Sequence, residues 1–180
     1  MMRPMPKRFV IACLVALAFS TGRAEVVEQT SIVRYPVSVQ PPQTLKQALN
    51  AATPIRENGL VFHGHTKWWV KWNFRWVRQP SGRCAITSVA VDLSTQMQLP
   101  QLVQAPAAER ERFNRFLPRL TKHEEGHRDN GRAAAAEVER RITQLPEMSS
   151  CELLEATAND TGRHVVSEYN QRDRQFDDAT

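Results

Sequence analysis

The residues best suited to chemistry lie in one short motif, His123-Glu124-Glu125-Gly126-His127. Two histidines four positions apart on an α-helix lie one turn apart on the same face, so both imidazoles can reach one zinc ion. Glu124 lies roughly 100° around the helix from His123, beside such an ion and not on it. The motif therefore predicts His123 and His127 as zinc ligands and Glu124 as the catalytic carboxylate.

Glu124 is expected to move a proton and not to bind the metal. A carboxylate beside a catalytic zinc takes a proton from the attacking water and passes it to the leaving amine, which hydrolyses a peptide bond. The alternative is two exposed histidines on a solvated helix. The motif, however, shares a helical stripe with Leu120, Gly131 and Val138. Burial of two imidazoles and a carboxylate there without a partner would be costly, so zinc binding is the favoured interpretation.

A catalytic zinc site usually has three protein ligands and an open position, but the motif supplies only two ligands. A third histidine six residues after His127 is excluded, because that position is Ala133. A carboxylate from a following helix would complete the site, and three glutamates are available there, namely Glu152, Glu155 and Glu168. The sequence does not choose among them.

The other histidines are weaker candidates. The segment His63-Gly64-His65 places two histidines at strand or loop spacing, where they could bind a metal, but local polar decoration is the favoured interpretation. His164 could orient a substrate or face solvent. No serine or cysteine lies in a sequence pattern that would supply the base of a catalytic nucleophile, and the sequence has no glycine-rich phosphate loop. The residues therefore favour metal-dependent chemistry.

A long helix is needed to present the motif. Apolar residues recur every three or four positions from Ala107 to Leu145, and Pro146 ends the pattern. Pro118 is expected either to kink this helix or to lie in the first turn of a new one. A last helical stretch is predicted from Cys151 to Phe176. The second half of the chain is therefore predicted to be helical.

Strands precede these helices. Residues 25–40 are predicted to form one strand, and Thr66–Trp76 and Cys84–Leu93 two more, which turn-forming residues join into an antiparallel hairpin. A short helix is predicted for Thr44–Ala52, with Thr44 as its cap. Strands followed by helices predict an α+β domain in which the strands and hairpin pack on a long zincin-type helix and a C-terminal helix.

Close packing is expected between the hairpin and the helices. Alternation along the first hairpin strand places three tryptophans on its apolar face, namely Trp68, Trp72 and Trp76, where core packing explains them better than sugar binding. Gly126 and Gly131 are poor helix residues. We expect them to permit close approach by the hairpin or by the last helix.

Residues 1–24 have the pattern of a cleaved signal peptide. Three basic residues precede an apolar run from Phe9 to Phe19, and small residues follow it. The run is well short of the roughly 20 residues that span a bilayer, so an uncleaved membrane anchor is disfavoured. Residues 25–180 are then expected to form a single zincin-like domain that is periplasmic or secreted and has no stable membrane insertion.

The charge and the cysteines agree with export. Residues 1–24 hold 4 of the 24 Lys and Arg and none of the 19 Asp and Glu, which leaves 20 basic against 19 acidic residues. No basic stripe with interleaved aromatics remains, so a nucleic-acid partner is disfavoured. Cys84 and Cys151 are an even pair in a chain bound for an oxidising compartment. They predict one disulfide, with two unrelated buried thiols as the alternative.

The chain resembles a family of predicted secreted zinc-dependent proteases of bacteria that is catalogued as a domain of unknown function. The matching features are the two cysteines and four segments, namely Gly64–Trp68, Leu99-Pro100, His123–His127 and Phe176–Thr180. The resemblance covers nearly all of the chain after residue 24. It implies an exported metallopeptidase that uses zinc to cleave a peptide or protein substrate.

One departure from that family concerns the third zinc ligand. The family's last motif is similar to Tyr-Asp-x-x-Thr-x-His-Gly, whereas this sequence has Phe176 for the Tyr and reaches Thr180 before the His. The resemblance makes Asp177 the nearest replacement, with Glu168 as the alternative. Two imidazoles alone hold zinc weakly, so we expect a weakly active or inactive chain unless another group closes the shell. The rival function is a catalytically silent zinc-binding or cell-envelope interaction protein.

Overall fold

The computed structural model describes residues 25–57 and 59–179. The predicted signal peptide, residues 1–24, lies outside them. The elements in chain order are β1 (Glu25–Ser38), α1 (Leu45–Ala52), β2 (Arg56–Glu57), β3 (Leu60–Val61), β4 (His65–Arg78), β5 (Cys84–Gln104), α2 (Ala107–Thr143) and α3 (Cys151–Ala179). The described residues thus mix one long-stranded sheet, one small hairpin and three helices, and the α+β class is confirmed.

The sheet has the strand order β1-β5-β4. β4 and β5 pair antiparallel, from His65 opposite Gln98 to Arg78 opposite Cys84, so the predicted hairpin is confirmed. β1 pairs in parallel with the other side of β5. β5 is therefore the central strand, hydrogen-bonded on both sides.

β5 ends at Gln104, well beyond the predicted end at Leu93. Buried side chains continue to alternate at Met97 and Leu99, and β1 pairs with this stretch. Pro100 lies past the last residue that pairs with β4. A missing N–H there removes no hydrogen bond to β4, which explains why a proline is tolerated in a central strand.

The main hydrophobic core lies between the sheet and the two long helices. Its most deeply buried members are Val91 and Leu93 of β5, Val138 and Ile142 of α2, and Val165 of α3. Each such side chain contributes about 1.5–3 kcal/mol when fully buried. No helix in the described part of the chain combines the length and apolar character needed to cross a membrane.

A second core joins α1, the end of β1 and the first half of α2, with Val37, Leu49 and Phe113 among its buried members. Because α2 packs here as well as on the main core, it continues as one helix through Pro118. Pro118 and Asn114 are exposed, so the carbonyl group that loses its helical partner can bind water. The expectation that a new helix begins at Pro118 is therefore wrong.

Helix α1 begins after Thr44, as predicted. The Thr44 side chain accepts a hydrogen bond from the Gln47 N–H, and the Gln47 side chain accepts one from the Thr44 N–H at 2.9 Å. This reciprocal pair satisfies two N–H groups that the first turn of a helix otherwise leaves without partners. The cap therefore fixes the first turn of α1.

The tryptophans of β4 attach this strand to α3. Three indole N–H groups donate to α3 side chains: Trp68 to Asp173 at 2.5 Å, Trp72 to Asn159 at 3.1 Å and Trp76 to Glu155 at 2.7 Å. Trp68 is 8% exposed and Trp76 is 38% exposed, so burial decreases along the strand away from His65. The polar atom of each of these three rings thus has a partner on α3.

Two glycines of α2 permit the close approach that the sequence predicted. A Cβ at Gly131 would lie 2.8 Å from Cγ of Trp68, and a Cβ at Gly126 would overlap the ring of Phe176. The hairpin therefore approaches α2 at Gly131, and the last helix approaches it at Gly126. Any larger residue at either position would force the neighbouring ring to move.

A small hairpin of β2 and β3 precedes β4. Its strands have two residues each, which is too short to produce a recognisable alternation in the sequence. Gly59 at its turn has a φ of +80°, a conformation that favours glycine. The N–H of Phe62 donates to the carbonyl of Ile55 at 3.1 Å, which holds the ends of the hairpin together.

Cys84 and Cys151 lie at disulfide-bonding distance, with Cα atoms 5.1 Å apart. Cys84 is the first residue of β5 and Cys151 the first of α3, and both are buried with Leu154 in a small cluster. Cys84 also exchanges two backbone hydrogen bonds with Met148. The pair therefore ties the start of α3 to the sheet.

We expect iodoacetamide to label neither Cys84 nor Cys151 in the unreduced protein. Because the two cysteines are 67 residues apart, reduction should lower the free energy of unfolding by about 4 kcal/mol, measured by urea denaturation. The double variant Cys84→Ala/Cys151→Ala is the control, and its stability should not respond to reductant. Labelling of both thiols without reduction would show that no bond forms.

Candidate metal centre

The motif residues lie on one face of α2, as the sequence predicted. Glu124 is 3% exposed and His127 is 7% exposed, whereas His123 is half-buried. Further along the same face, Gly131 and Ala134 are also buried. The two histidines are therefore part of a packed helix face and not of a solvated one.

Asp177, in the last turn of α3, meets both imidazoles. Its Oδ1 lies 2.9 Å from Nε2 of His127 and 3.2 Å from Nε2 of His123. The two Nε2 atoms are 3.3 Å apart. Two imidazole nitrogens and a carboxylate oxygen within 4.8 Å of one another are a set of ligand atoms that could hold a metal ion. We call these three residues the His-His-Asp group.

Asp173, one turn before Asp177, holds the other nitrogen of His127. Its Oδ1 lies 3.2 Å from His127 Nδ1 and accepts a hydrogen bond from Asn130 at 2.6 Å. Its Oδ2 accepts the indole hydrogen bond of Trp68. With two partners on α2 and one on β4, this carboxylate fixes the orientation of the His127 ring.

The pKa values of His127 and Asp173 move in opposite directions. Burial by itself lowers the pKa of His127, but the hydrogen bond with Asp173 and the charges of Asp177 and Asp173 raise it above its ordinary value. Burial raises the pKa of Asp173, but the hydrogen bonds from its three partners lower it more. Asp173 is therefore ionised at neutral pH, and Nδ1 of His127 carries a proton that faces it.

Glu124 faces the start of β4. Its Oε2 accepts a hydrogen bond from the hydroxyl group of Thr66 at 2.8 Å. Burial raises the pKa of Glu124, and the Thr66 hydrogen bond and the charges of the two motif histidines oppose that rise only in part. A Cβ at Gly64 would overlap the Glu124 carboxylate. Glycine at position 64 therefore allows the chain to pass against this carboxylate.

Phe176 packs against both imidazoles of the His-His-Asp group. Its ring centroid lies 5.1 Å from each, stacked on His123 at an interplanar angle of 20° and edge-on to His127 at 89°. Gly126 provides the space for this ring. The contact restricts the rotamers of both histidines and brings the neighbouring Asp177 to them.

A cavity of about 490 Å³ opens onto the His-His-Asp group and Glu124. Apolar side chains line part of it, namely Ile55, Phe62 and Leu120. His63 and His65 line it too, although neither belongs to the group. The structure places both histidines at the cavity wall, where the chain turns into β4. Burial, followed by the charge of Lys67, lowers the pKa of His65.

The glutamates considered as third ligands lie elsewhere. Glu168 pairs with Arg141 at 2.8 Å, and Glu155 accepts the hydrogen bond of an indole N–H of β4. Glu152 lies in the first turn of α3, at the end of that helix opposite to Asp177. None of the three lines the cavity. Asp177 is the carboxylate that lies at Nε2 of both imidazoles.

The sequence did not indicate Thr66 and Asp173. Thr66 is 58 residues from Glu124, and Asp173 is 105 residues from Trp68, so neither pair leaves a local pattern. A signal for Asp173 was nevertheless present. It lies four positions before Asp177, so any helix that brings one of these carboxylates to the histidines brings the other to the same face.

Thr66→Val should raise the pKa of Glu124, because the lost hydrogen bond stabilises the charged carboxylate. Carbon-13 NMR of glutamate side chains in the metal-free protein measures this pKa. Because the pKa of Glu124 in the folded state is above the ordinary 4.5, the free energy of unfolding falls as the pH rises from 4.5 through the folded-state pKa. Thr66→Val should therefore lose more stability than the wild type between acidic and neutral pH.

Thr95→Val is the matched control, because Thr95 is a buried threonine of β5 whose hydroxyl oxygen has no hydrogen-bond partner among the described residues. It should leave the pKa of Glu124 where it is in the wild type. An unchanged Glu124 pKa in Thr66→Val would refute the role given to the hydroxyl group.

Comparison with known proteins identifies the family at the level of the whole domain. Residues 32–180 match the family described as bacterial protein of unknown function, DUF922. The matched residues include the motif, the α3 carboxylates and both cysteines of the bonded pair. No curated protein and no solved structure matched the chain. The chain belongs to the DUF922 family of bacterial proteins.

Proposed function

We propose that this protein is a zinc-dependent peptidase whose metal ion is held by His123, His127 and Asp177. The observation that carries the proposal is the spacing of the three ligand atoms, which lie 2.9, 3.2 and 3.3 Å apart. Ligand atoms bound at 2.0–2.1 Å to a tetrahedral zinc lie about 3.3 Å from one another. The group thus has nearly the dimensions of a zinc shell with one open position.

The chemistry of the ligand atoms supports the same conclusion. Because Nδ1 of His127 donates to Asp173, the lone pair of a neutral His127 ring is on Nε2. That lone pair faces an oxygen of Asp177, which can only accept. Such a contact is repulsive unless a cation or a proton lies between the two atoms. A carboxylate behind a metal-binding histidine is also the usual way to orient the ring and strengthen its binding.

Glu124 is the group that moves the proton. Zinc in this position would polarise the carbonyl group of the substrate and lower the pKa of water. Glu124 takes one proton from a water molecule as the water oxygen bonds to the carbonyl carbon. It then gives that proton to the amide nitrogen as the C–N bond breaks, so that the products are a carboxylic acid and an amine.

The surroundings of Glu124 suit this role. Burial raises its pKa toward the working pH, where a carboxylate is a stronger base. The Thr66 hydroxyl group holds one oxygen of the carboxylate and leaves the other for water. The cavity offers both apolar and polar walls, as a peptide substrate requires. Export to the periplasm or the medium is part of the proposal, and the signal-peptide pattern and the cysteine pair support it.

A catalytically silent zinc-binding protein is the second candidate. The Asp177 side chain is 59% exposed, compared with 9% for the His127 side chain, so the third ligand is the least firmly held. If Asp177 binds weakly, the zinc occupancy of the site falls at low zinc concentration. Measurement of zinc content and peptide hydrolysis on the same variants distinguishes the two functions.

We expect wild-type protein to retain one zinc per chain after dialysis and to cleave a quenched fluorescent peptide library. His123→Ala, His127→Ala and Asp177→Ala should each lose zinc, because each removes a ligand atom. Glu124→Gln should keep zinc and lose hydrolysis, since an amide cannot accept the proton. Elemental mass spectrometry measures the metal. Asp178→Ala is the control for its neighbour and should keep both properties.

Two results would contradict this assignment. Equal zinc loss in Glu124→Gln and in the histidine variants would remove the distinction between ligand and base. Full zinc occupancy without hydrolysis in the wild type, across the library, would instead favour the catalytically silent protein.

Asp173→Asn should weaken zinc binding by about 10- to 100-fold while the fold is preserved. The amide still accepts from Trp68, but it no longer holds His127 with a negative charge. Competition with a fluorescent zinc chelator measures the affinity. Asp160→Asn, an exposed position on α3 that pairs with Arg163, is the control. Unchanged affinity in Asp173→Asn would show that the carboxylate does not support the metal.

A further inference from the structure

His65 is a cavity residue to which the proposed zinc site gives no role. It is the first residue of β4 and lines the cavity together with the His-His-Asp group and Glu124. The charges of His127 and Asp177 act on its ring, and the three residues line the same cavity. It is nevertheless outside the compact group of ligand atoms.

The backbone on both sides of His65 is held against Glu124. Before it, Gly64 passes so close to the Glu124 carboxylate that a Cβ would overlap it. After it, the Thr66 hydroxyl group hydrogen-bonds that carboxylate at 2.8 Å. His65 itself pairs with Gln98 in the β4–β5 ladder. The histidine is therefore fixed relative to the base that would activate water.

The His65 imidazole is half-buried and makes no hydrogen bond within residues 25–57 and 59–179. The comparison with His63 is informative, because the two histidines line the same cavity. Nε2 of His63 lies 2.7 Å from the side-chain oxygen of Asn50, so that nitrogen has a partner. Buried polar groups usually have a partner in the protein or in ordered water. The His65 ring thus has a hydrogen bond to give to a molecule that enters the cavity.

We propose that His65 is a catalytic residue that donates a hydrogen bond to the oxyanion formed at the substrate carbonyl, a role that rests on the peptidase function proposed above. When the water oxygen bonds to the carbonyl carbon, the π electrons of the C=O bond move to its oxygen. A fixed N–H donor aimed at that oxygen stabilises the negative charge. As the C–N bond breaks, the electrons return and the hydrogen bond weakens.

Other roles for His65 fit the structure less well. As a fourth metal ligand it would close the position that the substrate needs, and its nitrogens are not part of the ligand-atom group. As a general base it would duplicate Glu124, which lies beside the motif histidines on α2. A donor to the developing charge is the function that the site otherwise lacks.

Kinetics of the zinc-loaded His65→Ala, His65→Gln and His164→Gln variants test the proposal on a peptide that the wild type cleaves. His65→Ala should lower kcat by about 10²- to 10³-fold, the effect of the loss of one oxyanion donor, with little change in KM. His65→Gln keeps an N–H donor and should recover part of that loss. His164→Gln makes the same substitution at an exposed histidine of α3 that pairs with Glu168, and its kcat should not change.

Two further measurements separate this role from a structural or a metal-binding one. Zinc content and the near-ultraviolet circular dichroism of the four tryptophans should stay at wild-type values in both His65 variants. Calorimetry should show that His65→Ala weakens binding of a phosphinic peptide, which mimics the tetrahedral species, more than binding of the uncleaved substrate to Glu124→Gln protein.

Each outcome decides the proposal. A wild-type kcat in His65→Ala, or loss of zinc from it, overturns the oxyanion role while the peptidase function stands. No recovery in His65→Gln together with a raised KM would indicate only a substrate contact and would also overturn it. A zinc-loaded wild type that cleaves no peptide overturns the proposed function first, and the role of His65 with it.

Discussion

The contact of Trp68 with both long helices sets the geometry of the site. Its ring packs so closely against Gly131 of α2 that a Cβ at that position would clash with it. Its indole N–H donates to Asp173 of α3. Asp173 in turn holds Nδ1 of His127, so the orientation of a proposed ligand depends on the hairpin. The packing of β4 therefore controls both the distance between the helices and the direction of the imidazole. Movement of Trp68 would therefore disturb the contacts that orient His127.

The electrostatics of the site follow from that packing. A buried carboxylate, two imidazoles and two further carboxylates from α3 share a small volume, which is unfavourable unless positive charge compensates it. Protonation of His127 supplies part of that charge, since its pKa is raised. A divalent cation among the ligand atoms would supply more, and would let Glu124 remain ionised as a base. Stability and metal affinity are then linked, because the folded chain alone assembles the site.

The sequence predicts best those features of the site that lie within the single helix α2. The motif, its stripe and the need for glycine at position 131 all follow from a spacing of three to four residues. It was least informative where the partners are far apart in the chain, as for Thr66 with Glu124. The length of β5 was underestimated because its second half is stabilised by parallel pairing with β1, which no local pattern reveals. The family resemblance indicates Asp177, and the spacing of four residues then places Asp173 on the same helix face.

The central claim is that His123, His127 and Asp177 bind one zinc ion. X-ray absorption at the zinc edge of the zinc-loaded protein tests it most directly, because it reports the ligands themselves. We expect a first shell of two imidazoles completed by oxygen, at about 2.0–2.1 Å, and the loss of one oxygen contribution or of the metal in Asp177→Ala. A first shell without imidazole scattering, or one that contains sulfur, would contradict it.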